Sequence, residues 1–251
     1  MKKIDAVTKV LPEAYEDLVK PTAQEIGKTL SLIPRTINAA LFPLRKWIIE
    51  KEHSIAETEK ILAKKLKNID KDKIVTPEAY IAVPALQSIS YSMDSDVLRD
   101  LYANLLAKAM NKDYKEQVHP SFVEIIKQMD PNDAIIFKSI FEAEITPVID
   151  LYILDKNRGG NYHRYNFTWI TEYSYDEICL AIDNLERLKL VEIPYGQNYT
   201  RNENYDCVRA TPAYIGYKHF LEEQNKGTVL EAKKYIRKTS LAEIFYRVCV
   251  V

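Results

Sequence analysis

Four histidines and three cysteines are the side chains of this 251-residue chain best suited to general-base, nucleophilic or soft-metal chemistry. His119 stands alone between His53 and His163, in the stretch "EQVHPSFVEIIKQMDPNDA". A general base needs a nucleophile or an orienting carboxylate within hydrogen-bond reach. The nearest in sequence, Ser121 and Glu124, fit the S-x-x-E pattern of a helix capping box instead. His119 followed by Pro120 fits a cap with proline as the first helical residue equally well. Either way His119 reads as helix punctuation rather than as a catalytic base or metal ligand. Asp96 and Asp100 lie four residues apart and Asn104 continues the row, in form half of a metal site. Acids in the first turn of a helix are favoured by its dipole, and Arg99 lies among them, so a hydrogen-bonded face is the reading carried forward. Cys179, Cys207 and Cys249 are far apart and odd in number. That fits a reducing compartment and argues against a disulfide framework or a structural zinc site. No H-E-x-x-H occurs, and with only six glycines phosphate-cradling loops are scarce. The chain is therefore expected to use no catalytic residue, no metal, no cofactor and no small-molecule substrate.

The elements that would position any site divide into two halves. Leu30, Ile33, Ile37, Leu41, Leu44 and Ile48 recur every three or four residues and form one apolar helical stripe, interrupted by Pro34 and Pro43. Ile37, Leu41, Leu44, Trp47 and Ile48 are the candidate interaction surface, expected to be buried in the domain or at a contact between copies. Arg35, Arg45 and Lys46 flank the stripe as in helices that lie on membranes, so peripheral membrane contact is the alternative. The longest uncharged run there, Thr36 to Leu44, is far shorter than the roughly 20 residues a spanning helix needs. With no signal-like start, a cytoplasmic protein is expected. A second amphipathic segment, Ile55 to Ile69, turns Lys60, Lys64, Lys65 and Lys67 to its wet side. Thr76-Pro77-Glu78 reads as a helix start. After Asp94 comes a helix with adjacent rows Val97, Leu101, Leu105 and Leu98, Tyr102, Leu106, Met110. "NKDYKEQ" closes it, and Asp130-Pro131-Asn132-Asp133 caps another helix, "AIIFKSIFEAE".

Beyond residue 145 the pattern changes, and most of the 17 tyrosines fall after residue 150. "TPVIDLYILD" reads as a strand and "KNRGGN" as a turn. "YHRYNFTWI" reads as a half-buried strand, His163, Tyr165, Phe167 and Trp169 alternating with Arg164, Asn166 and Thr168. Ser174-x-x-Glu177 is a capping box before a helix with Ile178, Ile182 and Leu185 on one face. "VEIPY" and "YDCVRA" read as a strand pair around a polar loop, and Thr211-Pro212 starts a helix that stops near Gly227. Helix, hairpin, helix is the order of a winged-helix module. The expected architecture is thus mainly α: a helical domain over 15–145, a smaller α+β winged-helix-like domain over 146–227, and a basic helical tail over 228–251.

Charge bears on what that module could bind. The net charge of the chain is −1, and residues 171–224 hold ten acids against five bases. Affinity for nucleic acid comes from lysine and arginine neutralising phosphates. An acidic module is therefore expected to contact protein; Lys60, Lys64, Lys67 and Arg201 are the candidate contacts if nucleic acid is bound after all.

At "LRDLYANLLAKAM", "VHPSFVEIIKQMDPNDA" and "VKPTAQEIGKTL" the chain resembles the abortive infection alpha family of bacteria. The resemblance runs from about Leu18 to about Gln224 and takes in "NLERLKLVEI" and "ATPAYIGYKHF". It implies a part in defence of a bacterial population against phage, and it brings no catalytic residues. The function expected is a non-enzymatic abortive-infection protein acting through contacts with a protein partner or with itself. The alternative is an effector that disrupts membranes or binds nucleic acid once infection activates it.

Overall fold

The computed structural model describes residues 60–251 apart from 90, 91, 93, 156–158 and 225–227, and the side chains of 154–163 and 224 are likewise outside the description. The stripe bearing Ile37, Leu41, Leu44, Trp47 and Ile48 lies outside the described residues.

Sequence period and caps set the helices. Residues 60–66 are helical and bury Leu62 and Leu66. Helix α1, Ala79–Ile89, begins just after the expected start and buries Ile81, Ala82, Ala85 and Ile89. Helix α2, Asp96–Ala109, is capped by the Ser95 side chain, which accepts from the Leu98 N–H. Both of its expected rows are used: Leu101, Leu105, Tyr102 and Leu106 are buried, and Val97 and Leu98 pack at the rim. Helix α3, Ser121–Lys127, is short and buries four of its seven residues. Helix α4, Pro131–Glu142, has proline in its first turn and a reciprocal cap between Asp130 and Asp133. Such a cap is worth about 1 kcal/mol.

The sheet then begins. Strand β1, Pro147–Asp155, lies between β2, Gly159–Phe167, and β4, Thr228–Tyr235, antiparallel to both. Helix α5, Tyr175–Arg187, starts at the Ser174–Glu177 capping box and buries Ile178, Ala181, Ile182 and Leu185. Strand β3, Val191–Glu192, pairs with β5, Arg237–Lys238. "YDCVRA" is not a strand: Asn202–Tyr205 is a 3-10 turn and α6, Asp206–Arg209, is helical. Tyr205 and Val208 are thereby turned together into the core. Helix α7, Pro212–Gln224, follows as expected. The tail is not wholly helical either. Its first residues are β4 and β5, and only α8, Ser240–Phe245, with a closing π-helical turn, Tyr246–Val250, is helix.

Successive residues of a strand face opposite sides, and β1 uses both. Ile149, Leu151 and Ile153 meet Tyr205, Val208, Tyr214 and Leu221 in one buried cluster. Val148 faces the other way, into a larger cluster that joins α1–α4 to α5, Val191, Ile236 and Phe245. This cluster takes in residues on both sides of position 145, and Phe245, Val248 and Cys249 belong to it as well. Phe245 meets Phe122 and Phe137 edge-on at 5.6 and 5.7 Å between ring centroids. The Asn104 amide, buried, donates to the Cys249 carbonyl at 2.9 Å.

Candidate interaction surface

The residues singled out for chemistry are occupied structurally. His119 is exposed; its Nδ1 accepts from the Ser121 N–H at 3.1 Å and lies 2.7 Å from the Ser121 hydroxyl. Its carbonyl accepts from the Phe122 N–H at 3.0 Å. The imidazole, rather than the Ser121–Glu124 box, thus satisfies the start of α3, which has no side-chain cap of the usual kind. His119→Asn should keep the melting temperature, since asparagine offers an oxygen at a similar reach. His119→Leu should cost about 1 kcal/mol, read by thermal or urea unfolding. The acid row is likewise spent. Asp96 pairs with Arg99, Asp100 with Lys65 at 2.7 Å, and Asn104 is turned inward onto Cys249. No group of histidine, cysteine and acidic side chains poised for a metal occurs among the described residues.

"HPSFVEIIKQMDPND", the most distinctive run of the chain, proves to be a joint. The Asp133 carboxylate is buried and accepts from the Asp130 N–H at 2.8 Å and from Asn184 Nδ2 at 2.6 Å. Asn184 Nδ2 also donates to the Gln128 carbonyl at 2.9 Å, and Arg187 Nη1 donates to Gln128 Oε1 at 2.8 Å. Burial raises the Asp133 carboxyl above its ordinary value, against the opposing pull of the Asp130 N–H and Asn184. These bonds fasten the α3–α4 elbow to α5. Asn184→Ala leaves Asp133 short of a donor and should cost about 1–3 kcal/mol by urea unfolding.

The second polar cluster builds the sheet. Tyr165 and Asn166 together oppose Asp150, a β-bulge that holds Asn166 at φ +60°. The Asn166 N–H finds Asp150 Oδ1 at 2.8 Å in place of a main-chain acceptor. Lys234 bridges Asp150 Oδ2 at 2.8 Å and Asn166 Oδ1 at 3.1 Å. The bulge breaks the alternation expected along "YHRYNFTWI": Asn166, Phe167 and Thr168 are all buried.

What the bulge exposes is the surface of interest. The Tyr175 hydroxyl donates to the Tyr165 carbonyl at 2.5 Å and accepts from its N–H at 3.2 Å, closing the outer edge of β2 there. Burial raises the Tyr175 hydroxyl well above its ordinary value, keeping it a neutral donor. Arg164 lies over the Tyr175 ring at 4.4 Å and the Tyr217 ring at 4.9 Å. Tyr217 in turn meets Phe220 at 5.7 Å between centroids. Tyr165 and Phe220, which border this stack, are each 50% exposed; Ile215 on α7 (54%) and Leu180 on α5 (71%) are further exposed apolar side chains of the helices that carry it. Arginine and aromatic side chains of this kind dominate the energetics of protein–protein interfaces. None of them was singled out from sequence; the only signal was the crowding of tyrosine after residue 150.

A cavity of about 230 Å³ lies beside the stack, lined by Asn166, Thr168, Ile170, Tyr173, Ile178 and Pro212. The starts of α5 and α7 reach it, and helix starts ordinarily favour anions. Here the Glu177 carboxylate already takes the Ser174 N–H at 2.9 Å, and Pro212 has no N–H to offer. The Thr168 and Thr211 hydroxyls are spent on the Pro147 and Val208 carbonyls at 3.4 and 2.8 Å.

Of the candidate nucleic-acid contacts, Lys60, Lys64 and Lys67 are exposed on the helical half. Arg201 is exposed at the opening of the 3-10 turn whose Tyr205 is buried in the sheet cluster. The two groups therefore belong to different clusters of the core. Among the described residues no helix is long and apolar enough to cross a membrane. No curated protein and no solved structure matches the chain. A family model does, the one described as abortive infection alpha, over residues 50–249. That span takes in the α3–α4 joint, the sheet and the C-terminal turn, and by it the chain belongs to the abortive infection alpha family.

Proposed function

We propose that this chain serves abortive infection as a non-enzymatic contact protein, and that the Arg164–Tyr217–Phe220 surface is where it meets its partner. The observation that carries the reading is the half-exposed aromatic group gathered around a stacked arginine where β2, α5 and α7 meet. Support also comes from His119, Asp96, Asp100 and Asn104, each of which has a side-chain atom engaged in a cap or pair: Nδ1, Oδ1, Oδ1 and Nδ2 in turn. The excess of acids over bases in residues 171–224 favours a protein over a phosphate backbone as the thing met. The reading does not depend on a winged helix: α5 is followed by β3 and then by helical turns rather than by the second strand of a hairpin, and β3 pairs with β5 instead.

The test is phage plating on cells that express the chain. Phe220→Ser and Ile215→Ser remove exposed apolar groups without touching the core, so their melting temperatures should match the parent. Hot-spot residues cost 2 kcal/mol or more of binding, about thirtyfold, so protection should fall by at least about tenfold. Full protection by the double variant, folded and expressed at parental level, would sink the assignment of this surface.

A further inference from the structure

Two faces of opposite charge lie on different parts of the chain. Helix α5 turns Ile178, Ala181, Ile182 and Leu185 inward and so presents Asp176, Leu180 and Asp183 as a row on its outer side. Leu180, 71% exposed, is a large apolar side chain with a carboxylate about one turn to either side. Among the described residues neither Asp176 nor Asp183 has a hydrogen-bonding or ion-pair partner. Arg164 belongs to the same neighbourhood, since it and both aspartates act electrostatically on the Cys179 thiol.

On the helical half, residues 60–73 hold six lysines and two aspartates. Leu62 and Leu66 are buried there, and Lys64, Lys67 and Lys71 are exposed. Lys65 and Lys73 are committed to Asp100 and Asp113 at 2.7 and 2.8 Å. Lys64, Lys67 and Lys71 have no acidic partner among the described residues. Ile61, Ala63 and Ile69 of the same segment are partly buried, Ala63 and Ile69 against the core. Among the described residues no ion pair joins this face to α5 within one chain.

We propose that the Asp176–Leu180–Asp183 face of one copy docks on the Lys64–Lys67–Lys71 face of a second copy of this chain. The inference rests on the reading of this chain as a contact protein and adds a second copy as a partner, met through faces other than the Arg164–Tyr217–Phe220 surface. A nucleic acid would suit the lysines and be repelled by the aspartates; a second copy satisfies both faces at once. The formal charge of −1 leaves whole copies without strong mutual repulsion, so local complementarity sets how they meet. A single such contact leaves one face of each copy free and so builds a ring or an open chain; where both contacts form at once between two copies, the result is a two-fold pair.

Sedimentation velocity on the full chain tests this, at low salt and at about 0.5 M salt, where exposed charges are strongly screened. The expected result is species larger than a monomer at low salt that dissociate at high salt. Asp176→Lys/Asp183→Lys and Lys64→Glu/Lys67→Glu/Lys71→Glu should each weaken self-association at least about tenfold, and an equal mixture of the two should associate again. Circular dichroism checks that each variant is folded; if a reversed variant misfolds, Asp176→Asn/Asp183→Asn or Lys64→Gln/Lys67→Gln/Lys71→Gln replaces it and should weaken association likewise. A wild type that stays monomeric up to about 100 μM, far above the Kd of a standard specific interface, would overturn the proposal. So would association unchanged by either set, failure of the mixed reversed variants to associate, or a monomeric wild type whose lysine face binds duplex nucleic acid. Should the wild type be monomeric while Phe220→Ser/Ile215→Ser still loses phage protection, this inference fails and the contact reading stands. Full protection by that double variant removes the contact reading whatever the oligomeric state.

Discussion

Phe245→Ala should lose about 3–5 kcal/mol of stability in urea unfolding, although the residue lies six places from the last in the sequence. Phe245 is fully buried and packs edge-on against Phe122 of α3 and Phe137 of α4. Truncation removes the transfer energy of the ring and leaves a cavity that neighbours on two helices cannot both collapse into. Behind it, Val248 and Cys249 are fully buried, and burial raises the Cys249 thiol well above its ordinary value. Tyr246 stacks on Phe141 at 4.0 Å and bonds Glu142 at 2.7 Å. A domain is typically stable by only about 5–15 kcal/mol, so one aromatic ring here decides whether the helical half survives. A loss below about 1 kcal/mol would show that the C-terminal turn is an ornament of the core and not part of it.

Glu231→Gln is the second large effect, and it carries a pH signature. Arg209 Nε and Nη2 grip the two Glu231 oxygens at 3.0 and 2.7 Å, and the Tyr214 hydroxyl donates to Oε1 at 2.5 Å. Arg209 also reaches Asp206 at 2.8 Å and the Asn202 side chain at 2.8 Å, so this carboxylate locks α6 and the 3-10 turn onto β4. The Arg209 guanidinium holds the Glu231 carboxyl below its ordinary value of 4.5; burial opposes this, and the Tyr214 hydroxyl helps. A depressed folded value means stability that is present above 4.5 and lost as pH falls through the folded value. Hydrogen bonds to a charged group contribute about 1.5–3 kcal/mol each, so the variant should lose about 2–3 kcal/mol near neutral pH. The gap between parent and variant should then close in acid. Asp133, shifted the opposite way, is common to both proteins and cancels in the comparison. A gap that stays constant down to strongly acid pH would show that the charge of Glu231 is not what Arg209 binds.

How much of this was legible in the sequence depends on where each residue's partner lies. The rows of α2 and the caps at Asp130 and Ser174 involve partners within four residues, and the structure uses them as expected. The basic composition of residues 228–251 reads as a helical tail, and nothing local in it marks strand β4. Each charge that matters there is met by a residue distant in sequence: Glu231 by Arg209 on α6, 22 residues away, and Lys234 by Asp150 on β1. "YDCVRA" was misread as a strand because its apolar spacing suits either period; Tyr205 and Val208, three apart, take the helical one. The bulge at Asn166 needs the Asp150 carboxylate beneath it, which no local pattern reveals. The aromatic surface was hidden for the same reason, since Arg164, Tyr175 and Tyr217 meet only once β2, α5 and α7 have packed. Charge counting needs no fold, which is why the acidic character of residues 171–224 was plain from the start.

The most direct test of the account is phage plating with the quadruple variant His119→Asn, Cys179→Ser, Cys207→Ser and His219→Asn. These replace the histidines and cysteines that are exposed or partly exposed among the described residues. His119 keeps a capping acceptor, and His219 gives up a surface pair with Glu223 at 3.1 Å, worth at most about 1 kcal/mol. If the chain works by contact, the variant should be folded and should protect cells within about twofold of the parent, since Cys179→Ser keeps a donor for the Tyr165 carbonyl and the other three changes are at exposed positions where substitutions cost little. Complete loss of protection by a variant with the parental melting temperature would mean that one of these side chains does chemistry, and would contradict the account.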